Sequence, residues 1–172
     1  MGMQTDVLAG HIDTSGVIVN GRVRVKQITF QGTGAGAGVV EVFDTATTPI
    51  AATYGRTANL ITVTRTAHGL NTGDRIGIAF SAAAGSSGTD GNYTVTRTGA
   101  DTFTVTDLNS GTVTPGTACN YVNNGGRWLV SFNTASGQTT PIGVLVPGQG
   151  ILAALGVYVA LTNTTFVTIF YG

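Results

Sequence analysis

Along much of this chain large apolar residues recur at every second position, the period of a strand with one buried face. Ile61-Thr62-Val63-Thr64-Arg65-Thr66, Tyr93-Thr94-Val95-Thr96-Arg97-Thr98 and Phe103-Thr104-Val105-Thr106 alternate threonine with bulky residues, and Ile76, Ile78 and Phe80 keep the same rhythm. The pattern turns Thr62, Thr64, Thr66, Thr94, Thr96, Thr98, Thr102, Thr104 and Thr106 to one polar outer face and places Tyr93 and Phe103 in the core. Outside this stretch, strands are predicted over Val17–Val19, Val23–Phe30, Val39–Phe43, Trp128–Phe132, Ile142–Val146, Ile151–Leu155, Val157–Leu161 and Phe166–Phe170. Helix signals are nearly absent, and Gly, Asn and Asp clusters punctuate the runs as turns do. The expected fold is all-β: a jelly-roll or β-sandwich framework that carries an inserted small β-barrel.

The borders of the insertion are expected in two loop-like stretches, Tyr54–Asn59 and Gly111–Gly126, the second holding Pro115 and the turn cluster Asn123-Asn124-Gly125-Gly126. Neither flank has enough strands for a closed core, so residues 1–56 and 122–172 are assigned to the framework and 57–121 to the insertion. Two framework strands depart from simple alternation. Val23 and Val25 run in one phase and Ile28 and Phe30 in the other, which predicts one extra residue, a bulge, near Lys26-Gln27. Near the C-terminus Phe166 and Phe170 oppose Val167, Ile169 and Tyr171, so both faces are apolar and a neighbouring subunit is expected to cover one of them. A symmetric homo-oligomer follows, a trimer before a dimer, with both chain ends docked.

Eight acidic and eight basic residues cancel, and charged residues make up only 9% of the chain, against roughly 25% in ordinary soluble domains. So few charges give poor protection against association, which again points to a surface covered by other subunits. Nucleic acid is not an expected partner, because phosphate binding needs several cations on one face. The one basic cluster is Arg22, Arg24 and Lys26, spaced to share a strand face. It reads either as an edge strand guarded by charge or as a patch that docks on an acidic shell. With Phe166, Phe170 and Tyr171 these three are the candidate docking residues. Cys119 is the only cysteine, which rules out an intrachain disulfide and a cysteine-based zinc site and suggests a buried hydrophobe. The apolar run Ile151–Leu161 is shorter than the roughly 18 residues of a membrane span, so no membrane is expected as a partner. Met1–Asp6 lacks the cationic and apolar regions of a signal peptide.

Motifs for catalysis and ligation do not assemble. Gly32-Thr33-Gly34-Ala35-Gly36-Ala37 matches the letters of a dinucleotide-binding loop, but Val39–Asp44 continues as strand where a helix N-terminus is required. Gly85-Ser86-Ser87-Gly88 lacks the spacing of a nucleophile elbow. His68 precedes Asp74 by six residues without a nucleophile beside them. His11 with Asp13 makes no metal site, and Asp90-Gly91-Asn92 reads as a β-turn. The expectation is a protein that is not an enzyme, without cofactor or metal.

His68–Ile76 (HGLNTGDRI), Asp90–Thr96 (DGNYTVT) and Ala100–Asp107 (ADTFTVTD) together resemble a small β-barrel module that recurs in virion proteins of tailed bacteriophages. The flanks, Val7–Arg56 with Gly125–Gly172, resemble more loosely the framework of small podophage and cyanophage surface proteins. The resemblance implies that His68 sits at the entry of a turn with its imidazole hydrogen-bonded to backbone. It also implies a structural protein of the virion, assembled in the host cytoplasm, with other virion proteins as partners. Its implied role is capsid decoration or cementing. The alternative it implies is a tail-fibre or tail-tip component that recognises host glycan through the threonine face or the Gly85–Gly91 loop.

Overall fold

A computed structural model describes residues 7–82 and 86–172. In chain order its strands are β1 (Leu8–Ile12), β2 (Gly16–Asn20), β3 (Val23–Gly32), β4 (Gly38–Asp44) and β5 (Ile50–Thr64). There follow β6 (Arg75–Phe80), β7 (Gly91–Thr94), β8 (Thr96–Arg97), β9 (Thr102–Val122) and β10 (Arg127–Thr134). The last four are β11 (Ile142–Leu145), β12 (Ile151–Ala153), β13 (Gly156–Thr162) and β14 (Thr164–Tyr171). The fold is all-β, the described residues hold no helix, and so none is long and apolar enough to cross a membrane. Two compact units divide the chain: Met1–Thr48 with Leu129–Gly172, and Pro49–Trp128. Met1–Asp6 lies outside the described residues, and with it the expected docking of the N-terminus. At the other end Gly172 exchanges backbone hydrogen bonds with Arg24.

The first unit is a two-sheet sandwich. One sheet runs β1-β14-β3-β11, with β12 beside the first half of β3, and the other runs β10-β4-β13-β2. Successive strands alternate between the sheets from β1 to β4 and again from β13 to β14, the strand order of a jelly roll. Val25, Ile28, Phe30, Val167 and Ile169 of the first sheet pack against Val40, Val42, Val157 and Val159 of the second, all fully buried. These β-branched and aromatic side chains fit a pleated surface that is covered on one face.

The phase change in β3 is resolved by the expected bulge. Its register with β14 runs Phe170 opposite Gln27 and then Tyr171 opposite Val25, which leaves Lys26 as the extra residue. The edge-strand reading of Arg22–Lys26 is overturned. β3 is an interior strand, flanked by β14 on one side and by β11 and β12 on the other. Leu8–Ile12 forms a strand that periodicity did not predict, because Ala9, Gly10 and His11 break its alternation.

The second unit is one sheet wrapped around its own core. β5 and β9 form a long antiparallel ribbon, β6 pairs with the far end of β9, β7 pairs with β6, and β8 pairs with the near end of β9, so the ladder returns to the strand it left. Tyr93–Thr98, expected as one strand, breaks at Val95. There the chain exchanges bonds with the preceding turn, Gly73 N–H to Val95 O and Val95 N–H to Asp74 O, each at 2.9 Å. Ile61, Val63, Ile76, Ile78, Phe103, Val105 and Tyr121 fill the interior. Gly77 is required in β6, because a Cβ there would sit 2.0 Å from the backbone nitrogen of Trp128.

Most of the two stretches expected as loops is strand, while Asn123-Asn124-Gly125-Gly126 turns the chain as expected, with the Gly126 N–H donating to the Asn123 carbonyl at 2.9 Å. Tyr54–Asn59 lies within β5 and Gly111–Val122 within β9, because the turn-type residues are taken up in bulges rather than in loops. The register jumps from Tyr54 opposite Thr117 to Arg56 opposite Val113, and from Ala58 opposite Gly111 to Leu60 opposite Thr106. Thr114-Pro115-Gly116 and Asp107–Ser110 are the surplus residues, and Pro115 has no ladder bond to break. Residues 50–54 thus pair with 117–121, and the units divide at 48/49 and 128/129 rather than at 56/57 and 121/122.

Candidate functional site

The six candidate docking residues occupy different settings. Arg22 precedes β3 and is exposed, whereas Arg24 is half-buried within it. Lys26 sits in the bulge and donates from Nζ to the carbonyl of Gln149 at 2.9 Å, so it clamps the turn between β11 and β12. The three do not form a free basic row. In β14, Val167 and Ile169 enter the core and Tyr171 packs against it. Phe166, Thr168 and Phe170 therefore lie on the outer face.

Register extends that face. Phe170 stands opposite Ala9 and Gln27, Thr168 opposite His11 and Thr29, Phe166 opposite Gln31, and Gln27 opposite Leu145. No aspartate, glutamate, lysine or arginine occupies any of these positions. Phe166 and Phe170 are half-buried, His11 lies against Phe166 with ring centroids 5.3 Å apart, and Leu145 is 73% exposed. These positions make a patch of aromatic, imidazole, amide and hydroxyl groups, with Arg24 beyond the bulge of β3.

In the second unit, His68, Asp74, Asp90, Asn92 and Asp101 of the three motifs are bonded to backbone. His68 is buried with its ring edge-on to Phe103; Nδ1 accepts from the Leu70 N–H at 3.0 Å, which leaves Nε2–H to donate to the Gly99 carbonyl at 3.2 Å. This is the turn role expected of it. Asp74 accepts from the Asn71 N–H and Asp101 from the Ala67 N–H, each at 2.8 Å, while Gly73 turns the chain at φ +98°. Asp90 accepts from the Phe80 N–H, and the Asn92 amide brackets Trp128, donating to its carbonyl and accepting from its N–H at 3.0 Å each.

The most constrained group is one that periodicity missed. Arg56 and Asp107 form a buried ion pair at 3.3 Å. The Arg56 guanidinium also donates to the carbonyls of Ala58, Ser86, Ser87 and Asn109, so it holds the four-residue bulge and the loop after β6 against β5. Asn59 adds bonds from Nδ2 to the carbonyls of Asp107, Leu108 and Asn109. Asp107 in turn accepts from the N–H groups of Thr89 and Asn109. Burial pushes its carboxyl up, but these N–H bonds, with the Thr89 hydroxyl and the Arg56 charge, outweigh it and hold Asp107 below the usual aspartate range. The available signal was a lone arginine in a stretch otherwise free of charge, and an aspartate that ends a threonine-aliphatic run.

This network frames an open cleft of about 570 Å³ lined by Thr89–Thr94, Thr96 and Thr106–Asn109. Tyr93 forms one wall. Its hydroxyl donates to the Thr89 carbonyl and its ring packs edge-on to Phe80. Burial, followed by the charges of Asp107 and Asp90, raises its phenol to about 12. Leu108, at the tip of the bulge, is 99% exposed.

The remaining motif readings resolve as turns and core. Gly32–Ala37 connects β3 to β4, and its Gly34 carbonyl accepts from the Gly137 N–H at 3.1 Å. Gly85 lies outside the described residues. Of the threonine face, Thr104 alone is buried, and its hydroxyl turns to the Thr96 carbonyl. Cys119 is buried, which raises its thiol to about 12. No group of three or more metal-ligating side chains occurs among the described residues.

No family model matches the chain. No curated protein matches it either. Among solved structures it is similar to the phage phi92 endosialidase, at TM-score 0.33 and 20% identity over 86% of this chain. It spans 22% of that protein's length.

Proposed function

We propose that this is a non-enzymatic structural protein of a bacteriophage particle, a homo-oligomer that decorates or cements the capsid. The observation that carries the reading is the outer face of the β1-β14-β3-β11 sheet, where Phe166, Phe170 and Leu145 lie among Gln, Thr and His11 with no acidic residue, lysine or arginine opposite them, while Arg24 stands on β3 beyond the bulge. Depletion of charge together with exposed aromatic groups marks the core of a protein interface. The low charge of the whole chain and the likeness of its motifs to phage virion modules support the same conclusion. In this reading Arg22 and Arg24 face the shell, while Lys26 is spent within the fold.

Sedimentation at micromolar concentration tests the oligomer. Wild type is expected as a trimer before a dimer, and Phe170→Asp, on the open face and away from the core, should dissociate it. A monomeric wild type would sink the interface. Electron microscopy of labelled particles tests the location, and label confined to the tail would reject the cement role. A second reading, a tail component that recognises host glycan, is favoured by the open cleft beside Tyr93.

A further inference from the structure

We propose that the cleft between Tyr93 and Leu108 binds an uncharged saccharide. The inference deepens the tail reading and stands apart from capsid decoration, since it concerns what the cleft holds and not where the protein sits. A sugar ring offers an apolar C–H face and a rim of hydroxyls, and it needs apolar walls above polar groups that are not already satisfied. The cleft provides both.

Tyr93 is a rigid wall, tied at its hydroxyl to Thr89 and at its ring to Phe80. Leu108 stands out into solvent on a bulge that Arg56, Asn59 and Asp107 hold by hydrogen bonds and an ion pair. A lone exposed leucine is ordinary. One held on a bulge by a buried ion pair, beside an aromatic wall and over a polar floor, has a defined position toward a ligand. The backbone that carries Leu108 is thus placed before binding, which lowers the ordering-entropy cost of association. The floor is supplied by Thr96 and Thr106, with Thr94 beside them; among the described residues none of these three hydroxyls bonds to protein.

Charge selects within the class. The lining holds Asp90 and Asp107 and no lysine, arginine or histidine, and the nearby Arg56 is consumed by Asp107 and four carbonyls. An acidic sugar would meet carboxylates without a cation to receive it. The two aspartates are themselves engaged with backbone N–H groups, Asp90 with Phe80 and Asp107 with Thr89 and Asn109. The cleft volume of about 570 Å³ suits a short oligosaccharide segment and falls within the usual range of ligand sites.

The test uses the full chain against a panel of neutral oligosaccharides (gluco-, manno-, galacto- and xylo-oligomers) and matched uronate and sialylated oligomers, with affinity read by calorimetry. The expected result is binding of a neutral member with little change between low and high salt. Leu108→Ala should weaken it about tenfold, the loss of one apolar wall, and Thr96→Val with Thr106→Val should weaken it further. Leu108, Thr96 and Thr106 are exposed, so unchanged melting shows that the variants fold. Tyr93→Ala then removes the second wall. The proposal is overturned if no neutral oligosaccharide in the panel binds, if only the acidic ones bind, or if the Leu108 and threonine variants bind as wild type. Each of these results leaves the particle location untouched, and label on the capsid leaves the binding result untouched.

Discussion

The two units bury polar groups in opposite ways. In the jelly roll the shared core of the two sheets is aliphatic with one phenylalanine at full depth, and its buried aspartate, Asp44, stands at the end of β4, where it accepts from the N–H groups of Leu155 and Gly156. The inserted unit takes polar groups inside: Arg56, His68 and Asp107 are all buried, and aromatic contacts link Tyr54 to Phe80, Phe80 to Tyr93, and Phe103 to Tyr121. One unit is held by long-range pairing of alternating strands. The other adds to its own paired strands individual side chains that pin turns and bulges, so single polar substitutions should damage it more than they damage the sandwich.

The largest effect is expected at Arg56. Arg56→Ala leaves Asp107 buried without its cation and frees four carbonyls, a loss of about 3–5 kcal/mol by the usual cost of breaking a buried pair. Cys119 reports on this unit alone. It is the only cysteine, and its thiol, raised to about 12, should resist a thiol reagent at pH 8 in the wild type and react in the Arg56 variant. Equal protection in both proteins would mean that the pin contributes little. The same pair sets the acid response. Because Asp107 is held below its ordinary value, its contribution is fully present above about pH 3.9 and is lost as the pH falls through its lower folded value. Urea midpoints followed from pH 6 to pH 2 should show this fall, and Asp107→Asn should remove that part of it.

A slightly smaller effect belongs to the sandwich. Ile169→Ala opens a cavity in the aliphatic core at a fully buried position, at a cost of about 2–5 kcal/mol. Unfolding should shift while the protection of Cys119 stays as in the wild type. If Cys119 became reactive in step with Ile169→Ala, the two units would unfold as one and the contrast between them would be structural without being energetic.

The strands of both units were legible because alternation is a local property. The bulge at Lys26 was legible for the same reason, since a phase change within eight residues needs one surplus residue whatever the partner strand. His68 was legible as a turn residue through the likeness of its motif, and the structure adds its local partner, the Leu70 N–H two positions away. What could not be read is what the ladder brings together over long separations. Arg56 meets Asp107 across a ribbon that closes far along the chain, and Lys26 finds Gln149 only because β11 and β12 flank β3. Gly111, Pro115 and Gly116 misled for a related reason: the residues that favour loops also fill bulges, and only the partner strand decides between the two. The candidate site was half legible. Phe166 and Phe170 were marked by the two-faced terminal strand, whereas the cleft depends on a bulge that alternation cannot show.

The smallest effect is also the sharpest, because it reverses sign within one cluster. Tyr54 and Tyr121 are both fully buried in the inserted unit. The Tyr54 hydroxyl donates to the Ser81 carbonyl at 3.0 Å, whereas the Tyr121 hydroxyl is buried with no partner among the described residues. Burial raises the Tyr121 phenol above its ordinary value, as a group held away from water should be. An unmade buried hydrogen bond costs about 1–3 kcal/mol, and a made one contributes about 1 kcal/mol. Tyr121→Phe should therefore stabilise the unit by about 1 kcal/mol, while Tyr54→Phe should destabilise it by a similar amount and leave the Ser81 carbonyl to find another donor. Denaturant midpoints of the two variants, measured side by side, decide the matter. A loss of stability in both would show that Tyr121 is satisfied by a buried water, and the inserted unit would then have paired even its least accommodated polar group.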